Sequence, residues 1–322
     1  MVEGRDTPAR RPDDISPVDT RRARAGTRAG VRTIRGRAHA APALAATVRA
    51  ARGGPFEDQA SASVYAQHVE PAFGRRFAER TLDALAVVRG TRLLDMACGT
   101  GIFARSAAHV VGPAGRVAAV DPSPAATETA RRIDVSNIVE WHDWCDEGLP
   151  FDDASFDVVA CQHALHRFDD PAALLAEAAR VLVGGGRIGL TTWGPIEENP
   201  AFAAQLDAIV ASGFEHSGAV EVLLDAFAHH RLEDLEALVR AAGFTDVACR
   251  TVRLLTALPP VAQWVRVYPS LPPLSHAWAQ APQRDRVRFL ARATELLRPF
   301  EHEGVLRVQA SSRLVVARKP GP

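Results

Sequence analysis

The stretch that decides the fold is LLDMACGTG, residues 93–101. An apolar run of the kind that forms a buried strand leads directly into a Gly-x-Gly turn, and a helical pattern follows over 102–111. Glycine lets the backbone turn sharply and approach a ligand closely, and the first turn of a helix offers unpaired N–H groups. The stretch therefore predicts a strand–loop–helix unit that binds a nucleotide-like ligand.

An acidic residue closes the next strand. This strand, 115–121, ends in Asp121, which lies 20 residues after Gly101. In open α/β sheets an acid at this point lies beside the first turn and can accept ribose hydroxyls. Residues 99–104 also satisfy the GxGxxA pattern of nicotinamide-binding folds. Asp95 argues against that alternative, because a carboxylate inside the first strand would repel a pyrophosphate and suits a cationic amino-acid group better.

Strands and helices alternate along most of the chain. Further strands are predicted over 137–143, 156–162, 187–193, 245–254 and 304–319. Helices are predicted over 72–88, 102–111, 123–132, 171–182 and 232–244, and a helical insertion over 197–230. Such alternation predicts an α/β fold with a doubly wound, mostly parallel sheet. We expect Gly184–Gly186 to break the chain before the fifth strand, and the last strand to be antiparallel.

Composition bounds the class of protein. The chain has 322 residues, 47% hydrophobic and 24% charged, which is typical of a globular protein of about two domains. It has no apolar run of the roughly 18 residues that a membrane helix needs. Its four cysteines include no CxxC pair, which favours a reducing, cytoplasmic compartment and argues against a metal site. Basic and acidic residues balance at 38 each, so net charge predicts neither a membrane nor a nucleic-acid partner.

Positive charge is nevertheless concentrated in the N-terminal segment. Residues 1–52 contain 12 Arg and 5 acidic residues and are rich in Ala, Gly and Pro. This composition predicts a disordered extension over 1–55. Three interpretations stay open: a transit peptide, an arm that binds a polyanion, and an extension produced by an over-long gene model.

Several motifs together resemble the class I S-adenosylmethionine-dependent methyltransferases, in the ubiquinone/menaquinone-biosynthesis-like (methyltransferase type 11) subgroup. The segment DMACGTG resembles the first motif of that family, and LPFDDASFD (149–157), QHALHRF (162–168) and RVLVGGGR (180–187) resemble its later motifs. The resemblance spans residues 62–318. It implies a seven-stranded Rossmann-like sheet in the order 3-2-1-4-5-7-6, helical lid insertions, and S-adenosylmethionine (SAM) as cofactor.

The resemblance also implies roles for single residues. Gly99 and Gly101 would shape the loop around the methionine part of the cofactor, and Asp95 would orient its amino group. Asp121 would accept both ribose hydroxyls, and Pro122 would pack on the adenine.

The chain departs from the family pattern on the adenine side. Where the family usually has an acid that contacts the adenine amino group, this chain has Cys145, and we expect Asp143 or Asp146 to take the role. The expected cofactor-binding residues are Asp95, Ala97, Cys98, Gly99, Thr100, Gly101, Asp121, Pro122, Asp143, Trp144, Cys145 and Gln162.

Two histidines follow the fourth strand, where the acceptor approaches the methyl group in this family. His163 and His166 are the candidate general bases or substrate contacts, since the pKa of histidine lies near neutrality. Tyr65, Phe73 and Trp193 are the candidate acceptor-pocket residues. For each of these residues the alternative is packing without a role in chemistry.

The predicted domain organisation follows from these assignments. It comprises the extension 1–55, an N-terminal helical lid 56–90, a SAM-binding core 91–195, a helical cover 196–303 that includes core elements at 232–254, and a terminal strand and tail 304–322.

The expected function is methyl transfer, by in-line displacement, to an oxygen or carbon of a small-molecule acceptor. Two alternatives stay open: an inactive SAM-binding protein, and a nucleic-acid methyltransferase that uses the basic arm. The second lacks an N/D-P-P-Y/F motif after the fourth strand. Monomer and homodimer both remain open.

Overall fold

A single mixed sheet forms the centre of the protein. The computed structural model describes residues 56, 58–144, 148–271 and 274–321, so the expected extension 1–55 lies outside the described residues. The strands are β1 (Arg92–Met96), β2 (Arg116–Asp121), β3 (Val139–Asp143), β4 (Phe156–Gln162), β5 (Leu182–Trp193), β6 (Thr245–Leu258), β7 (Glu301–His302) and β8 (Val305–Arg318).

Helices connect the strands and cover the sheet. The helices before the insertion are α1 (Gln59–Val64), α2 (Arg75–Ala84), α3 (Ile102–Val111), α4 (Pro124–Ile133) and α5 (Pro171–Val181), with a π-helical segment, Tyr65–Gly74, between α1 and α2. The later helices are α6 (Pro200–Ala211), α7 (Ala219–Asp225), α8 (Leu232–Ala241), α9 (Val261–Trp264), α10 (Leu274–Gln280) and α11 (Gln283–Leu297). Within the described ranges, no helix is long and apolar enough to cross a membrane.

The strand order confirms the predicted fold class. The order is β3-β2-β1-β4-β5-β8-β6, with the first five strands parallel and β8 antiparallel to both of its neighbours. The strand count differs from the expected seven, because the two-residue β7 adds a short pairing to β8. The order reverses between β1 and β4, and in open α/β sheets ligands bind at the carboxyl ends of the strands on either side of such a reversal.

The expected break at Gly184–Gly186 is wrong. β5 runs without interruption from Leu182 to Trp193. The glycines instead accommodate an irregularity in the pairing with β4, whose register shifts between Phe156 and Val158. Gly185 has a φ of +77°, which a glycine adopts readily, so the strand passes through the irregularity without ending.

The predicted helix 72–88 also differs from the structure. Its first residues belong to the π-helical segment, and α2 ends at Ala84. The chain turns at Ala86, which has a φ of +47°. The helical periodicity of 72–88 predicts that Phe77, Leu85 and Val88 face inward. Phe77 and Leu85 are buried, but Val88 is 62% exposed because it lies beyond this turn.

The segments between β5 and β6 and between β6 and β7 form a cover, whose apolar side chains pack in one cluster with the π-helical segment, α2 and the sheet. Inside the cover, the indole of Trp264 donates a hydrogen bond to the hydroxyl of Tyr268 (2.9 Å), which donates to the carbonyl oxygen of Ala201 (2.5 Å). Phe289 of α11 packs edge-on against Trp278 with ring centres 5.5 Å apart. These aromatic side chains therefore hold the cover together.

Replacing Phe289 with Ala should destabilise the protein by about 3 to 5 kcal/mol, because this ring is fully buried and its loss leaves a cavity. Val287→Ala on the same helix is the matched control, since Val287 is 54% exposed and should change stability by less than about 0.5 kcal/mol. Urea unfolding of both variants measures the difference. Equal effects would show that α11 does not pack as described.

Candidate active site

The glycine loop after β1 is held by the acid that ends β2. The carboxylate of Asp121 accepts a hydrogen bond from the backbone N–H of Gly99 (2.8 Å) and another from that of Ser123 (2.9 Å). Gly101, at the start of α3, has a φ of +88°, and a Cβ there would lie 2.2 Å from the ring of Trp141. Only glycine fits at this position, so the loop takes the tight form that the sequence predicted.

A second buried carboxylate lies under the loop. One oxygen of Asp95 accepts a hydrogen bond from the backbone N–H of Ala104 (3.0 Å), and the other has no partner among the described residues. Burial raises the pKa of Asp95 well above its usual value, and the nearby charges of Asp121 and Glu70 raise it further. A cationic ligand placed here would favour the ionised carboxylate.

Gln162, at the end of β4, provides another acceptor. Its amide nitrogen donates to the carbonyl oxygen of Gly74 (3.2 Å), and its amide oxygen is buried with no partner in the part of the chain that the structure describes. Asp95 and Gln162 line the same cavity. Because buried acceptors without partners are costly, these two atoms fit a ligand that brings N–H donors, such as the ammonium group of SAM.

We call this space the central cavity; it lies at the carboxyl ends of β1, β2 and β4. Of the predicted site residues it is lined by Tyr65, Phe73, Asp95, Ala97, Cys98, Gly99, Thr100, Asp121, Gln162, His163 and Trp193. The remaining described candidates, which do not belong to this lining, are Gly101, Pro122, Asp143, Trp144 and His166. Burial raises the pKa of the Cys98 thiol well above its usual value, which disfavours a thiolate nucleophile.

The adenine side is described only in part. The carboxylate of Asp143 accepts hydrogen bonds from the hydroxyl of Thr127 (2.8 Å) and from Arg131 (3.3 Å). The ring of Trp144 packs against Phe168 with centres 5.3 Å apart. Residues 145–147 lie outside the described ranges, so the roles expected of Cys145 and Asp146 stay predictions.

His163 is fixed from three sides. It stacks on the indole of Trp193, with ring centres 4.1 Å apart and planes at 9°, and Phe77 meets it edge-on. Its Nε2 lies 2.7 Å from the hydroxyl oxygen of Ser312. Burial lowers the pKa of His163 to about 3, so the imidazole is neutral at physiological pH.

His166 has a different surrounding. It belongs to a short 3₁₀ helix, Leu165–Arg167, that follows β4. Burial lowers the pKa of His166 to about 3, and the charges of Arg167, His229 and His163 act in the same direction. Both predicted bases are therefore neutral side chains that are difficult to protonate.

Aromatic rings form one wall of the central cavity. Phe73 meets Trp193 edge-on at 5.8 Å between ring centres, and Phe202 contacts both rings at 5.3 and 5.0 Å. Trp193 ends β5 and is 8% exposed. The candidate acceptor-pocket residues Phe73 and Trp193 thus lie together, beside His163.

Sequence reasoning missed Glu70, which ties the π-helical segment to the glycine loop. One oxygen of its buried carboxylate accepts hydrogen bonds from the Thr100 hydroxyl (2.5 Å) and the Ile102 backbone N–H (3.2 Å), and the other from Arg105 (2.7 Å). Burial raises the pKa of Glu70, and Arg105 opposes that rise. The available signal was an acid within an otherwise apolar helical face that includes Phe73.

Comparisons with known proteins agree with this site. Residues 94–190 match the methyltransferase domain family. A demethylmenaquinone methyltransferase of Clavibacter sepedonicus is 35% identical over 188 residues, which are 53% of this chain and 73% of that protein. A nocamycin O-methyltransferase of Saccharothrix syringae is 40% identical over 129 residues, 38% of this chain and 45% of that protein.

A solved structure has a similar fold. The YcgJ protein of Bacillus subtilis aligns with a TM-score of 0.50 and 18% identity, over 77% of this chain and 99% of that one.

The chain belongs to the class I SAM-dependent methyltransferases, in the ubiquinone/menaquinone-biosynthesis-like subgroup, whose cofactor is SAM. It spans only about a third to a half of several other relatives, with 33% and 44% of two of them covered.

The raised pKa of Asp95 gives a testable pH dependence of stability. Its contribution is fully present below the pKa of an unfolded Asp, about 3.9, and is lost as pH rises through the higher folded value. Asp95→Asn should therefore melt at the same temperature as the parent protein near pH 4 and at least about 2 °C higher at pH 8. Calorimetric melting between these pH values measures the difference.

The control for this experiment is Glu128→Gln, which removes an exposed carboxyl group from α4. Its melting temperature should track that of the parent protein at every pH. A constant difference between Asp95→Asn and the parent protein across the pH range would contradict the buried, ionisable character of Asp95.

Proposed function

We propose that this protein transfers the methyl group of SAM to an oxygen or carbon atom of a small, partly aromatic acceptor. The observation that carries the proposal is the arrangement of the central cavity. The buried carboxylate of Asp95, one oxygen of which has no partner among the described residues, lies under the glycine loop. Aromatic side chains, including Trp193, line the same space.

The residues of the cavity would bind the cofactor through complementary polar groups. The carboxylate of Asp95 and the amide oxygen of Gln162 would accept hydrogen bonds from the ammonium group. Asp121 would accept the ribose hydroxyls, because a carboxylate has about four acceptor sites and the amides of Gly99 and Ser123 occupy two of them. When bound, the cofactor supplies an electrophilic methyl group on a sulfonium.

The aromatic side of the central cavity would select the acceptor by its shape and would exclude water from the reaction. Phe73 and Trp193 provide an apolar surface for a ring, and the neighbouring cover closes this side of the sheet. His163 would orient the acceptor rather than carry its proton, since it is neutral and already hydrogen-bonded to Ser312. The relative named as an O-methyltransferase supports an oxygen acceptor, and the relative named for demethylmenaquinone supports a quinone-like acceptor.

The other expectations have no further support from the described residues. The basic arm of the nucleic-acid alternative and the Cys145 substitution of the inactive-protein alternative both lie outside them. The cytoplasmic location and the choice between monomer and homodimer stay predictions.

The cofactor site is tested by the variant Asp121→Asn. We expect SAM and its demethylated product S-adenosylhomocysteine (SAH) to bind the parent protein with micromolar dissociation constants, and the variant to bind at least about tenfold more weakly, since it loses a charged acceptor for two hydroxyls. Isothermal titration calorimetry gives both values. Glu128→Gln is the control and should bind like the parent protein. Absence of binding to the parent protein would contradict the proposal.

The role of the two histidines is tested by their joint replacement, His163→Gln with His166→Gln. The formation of SAH from SAM in the presence of each member of a panel of phenols and hydroxyquinones identifies an acceptor. The kcat/KM for that acceptor is then measured from pH 5 to 8. Because the pKa of each imidazole is about 3, neither histidine should produce an inflection in this range.

The double variant should lose at least about tenfold in kcat/KM, because the imidazoles would no longer orient the acceptor. Unchanged turnover would remove both residues from the proposed mechanism. An inflection near pH 6.5 that disappears in the double variant would contradict the neutral, buried state of the imidazoles.

A further inference from the structure

A positively charged side chain lines the central cavity together with several acids. Arg167 ends the 3₁₀ helix after β4, and among the described residues that line the cavity it is the only one with a permanent positive charge. Its neighbours in the lining include Tyr65 and Asp121. Because guanidinium groups carry five donors in a planar fork, this position can recognise a planar anion.

Asp121, the acid that interacts most strongly with the charge of Arg167, already has other partners. The charge of Arg167 interacts with those of Asp121 and Asp225. Asp121 already accepts hydrogen bonds from two backbone amides, and burial raises the pKa of Tyr65 to about 12, so that this phenol is neutral. The guanidinium thus lies in a desolvated place where a further anionic partner would be favourable.

Arg105, which lies near the glycine loop, already has hydrogen-bond partners of its own. Arg105 donates one hydrogen bond to Glu70 (2.7 Å) and another to the carbonyl oxygen of Thr100 (2.5 Å). Its guanidinium group stabilises the glycine loop and does not line the cavity. Arg167 therefore remains as the cationic counterpart to a ligand that enters the cavity.

We propose that Arg167 binds a carboxylate of the ligands that occupy the central cavity. The inference rests on the proposed function, because it assigns ligand chemistry to the same site. A carboxylate has two sources here: the amino-acid part of SAM, and an acidic group on the acceptor. Arg167 lines the same cavity as Asp121 on the cofactor side and Trp193 on the acceptor side, so it can serve either source.

The first arm of the test uses the cofactor alone. Calorimetry compares SAM with decarboxylated SAM, which lacks only the carboxylate, on the parent protein, on Arg167→Gln and on Arg167→Lys. If Arg167 binds this carboxylate, the parent protein prefers SAM by about ten- to a hundredfold, Arg167→Gln loses that preference, and Arg167→Lys retains part of it.

The second arm uses the protein saturated with SAH. Calorimetry compares 4-hydroxybenzoate with 4-hydroxybenzamide, which has nearly the same shape without the charge. If Arg167 binds an acceptor carboxylate, the parent protein prefers the acid at least tenfold and Arg167→Gln removes the preference. Arg284→Gln, which removes an exposed guanidinium, should behave like the parent protein in both arms.

The outcomes separate this inference from the proposed function. Loss of a carboxylate preference in either arm supports it and identifies the source. Equal weakening of SAM and decarboxylated SAM together with an unchanged response to the two benzoyl compounds overturns it, as does no effect of Arg167→Gln in either arm. Absence of SAM and SAH binding to the parent protein would instead overturn the proposed function and, with it, the inference.

Discussion

The hydrogen bond from the backbone N–H of Gly99 to the carboxylate of Asp121 is the interaction on which the site depends. It joins the loop after β1 to the end of β2, and the second oxygen of the same carboxylate holds Ser123 at the start of α4. Two neighbouring βα units thus share one acid. Because the parallel strands end at the same edge of the sheet, this single carboxylate fixes the two loops that border the central cavity.

Placing three carboxylates in one region has an energetic cost. Burial raises the pKa of Asp95, Asp121 and Glu70. Glu70 is compensated by Arg105, and Asp121 by two amides, whereas one oxygen of Asp95 has no partner within the described chain. The uncompensated acid lies at the position expected for a cationic ligand. This is the usual relation between stability and function, in which a binding site retains groups that the fold alone would not favour.

Most of the fold could be predicted from local patterns. The helix Ile102–Val111 and the strand Phe156–Gln162 occur at the predicted bounds, because apolar periodicity and flanking glycines determine them. The path of β5 through Gly184–Gly186 could not be predicted, since it depends on a register shift against β4. Val88 was misplaced for a similar reason, because a turn at a non-glycine residue gives no local signal.

The residues of the candidate site that belong to a sequence motif could be predicted. Gly99, Asp95 and Asp121 lie together at the central cavity, as the spacing and the family resemblance implied. Glu70 and Arg167 were not expected, because their importance arises from partners distant in sequence. Glu70 bonds to Thr100, thirty positions away, and Arg167 lines the same cavity as Asp121.

A crystal structure of the protein with SAH tests the central claim most directly, because it locates each polar group of the ligand. We predict that the amino group lies within hydrogen-bond distance of the Asp95 oxygen that has no partner among the described residues, and that both ribose hydroxyls bond to the carboxylate of Asp121. A ligand bound elsewhere, or one whose amino group leaves Asp95 bonded only to Ala104, would contradict it.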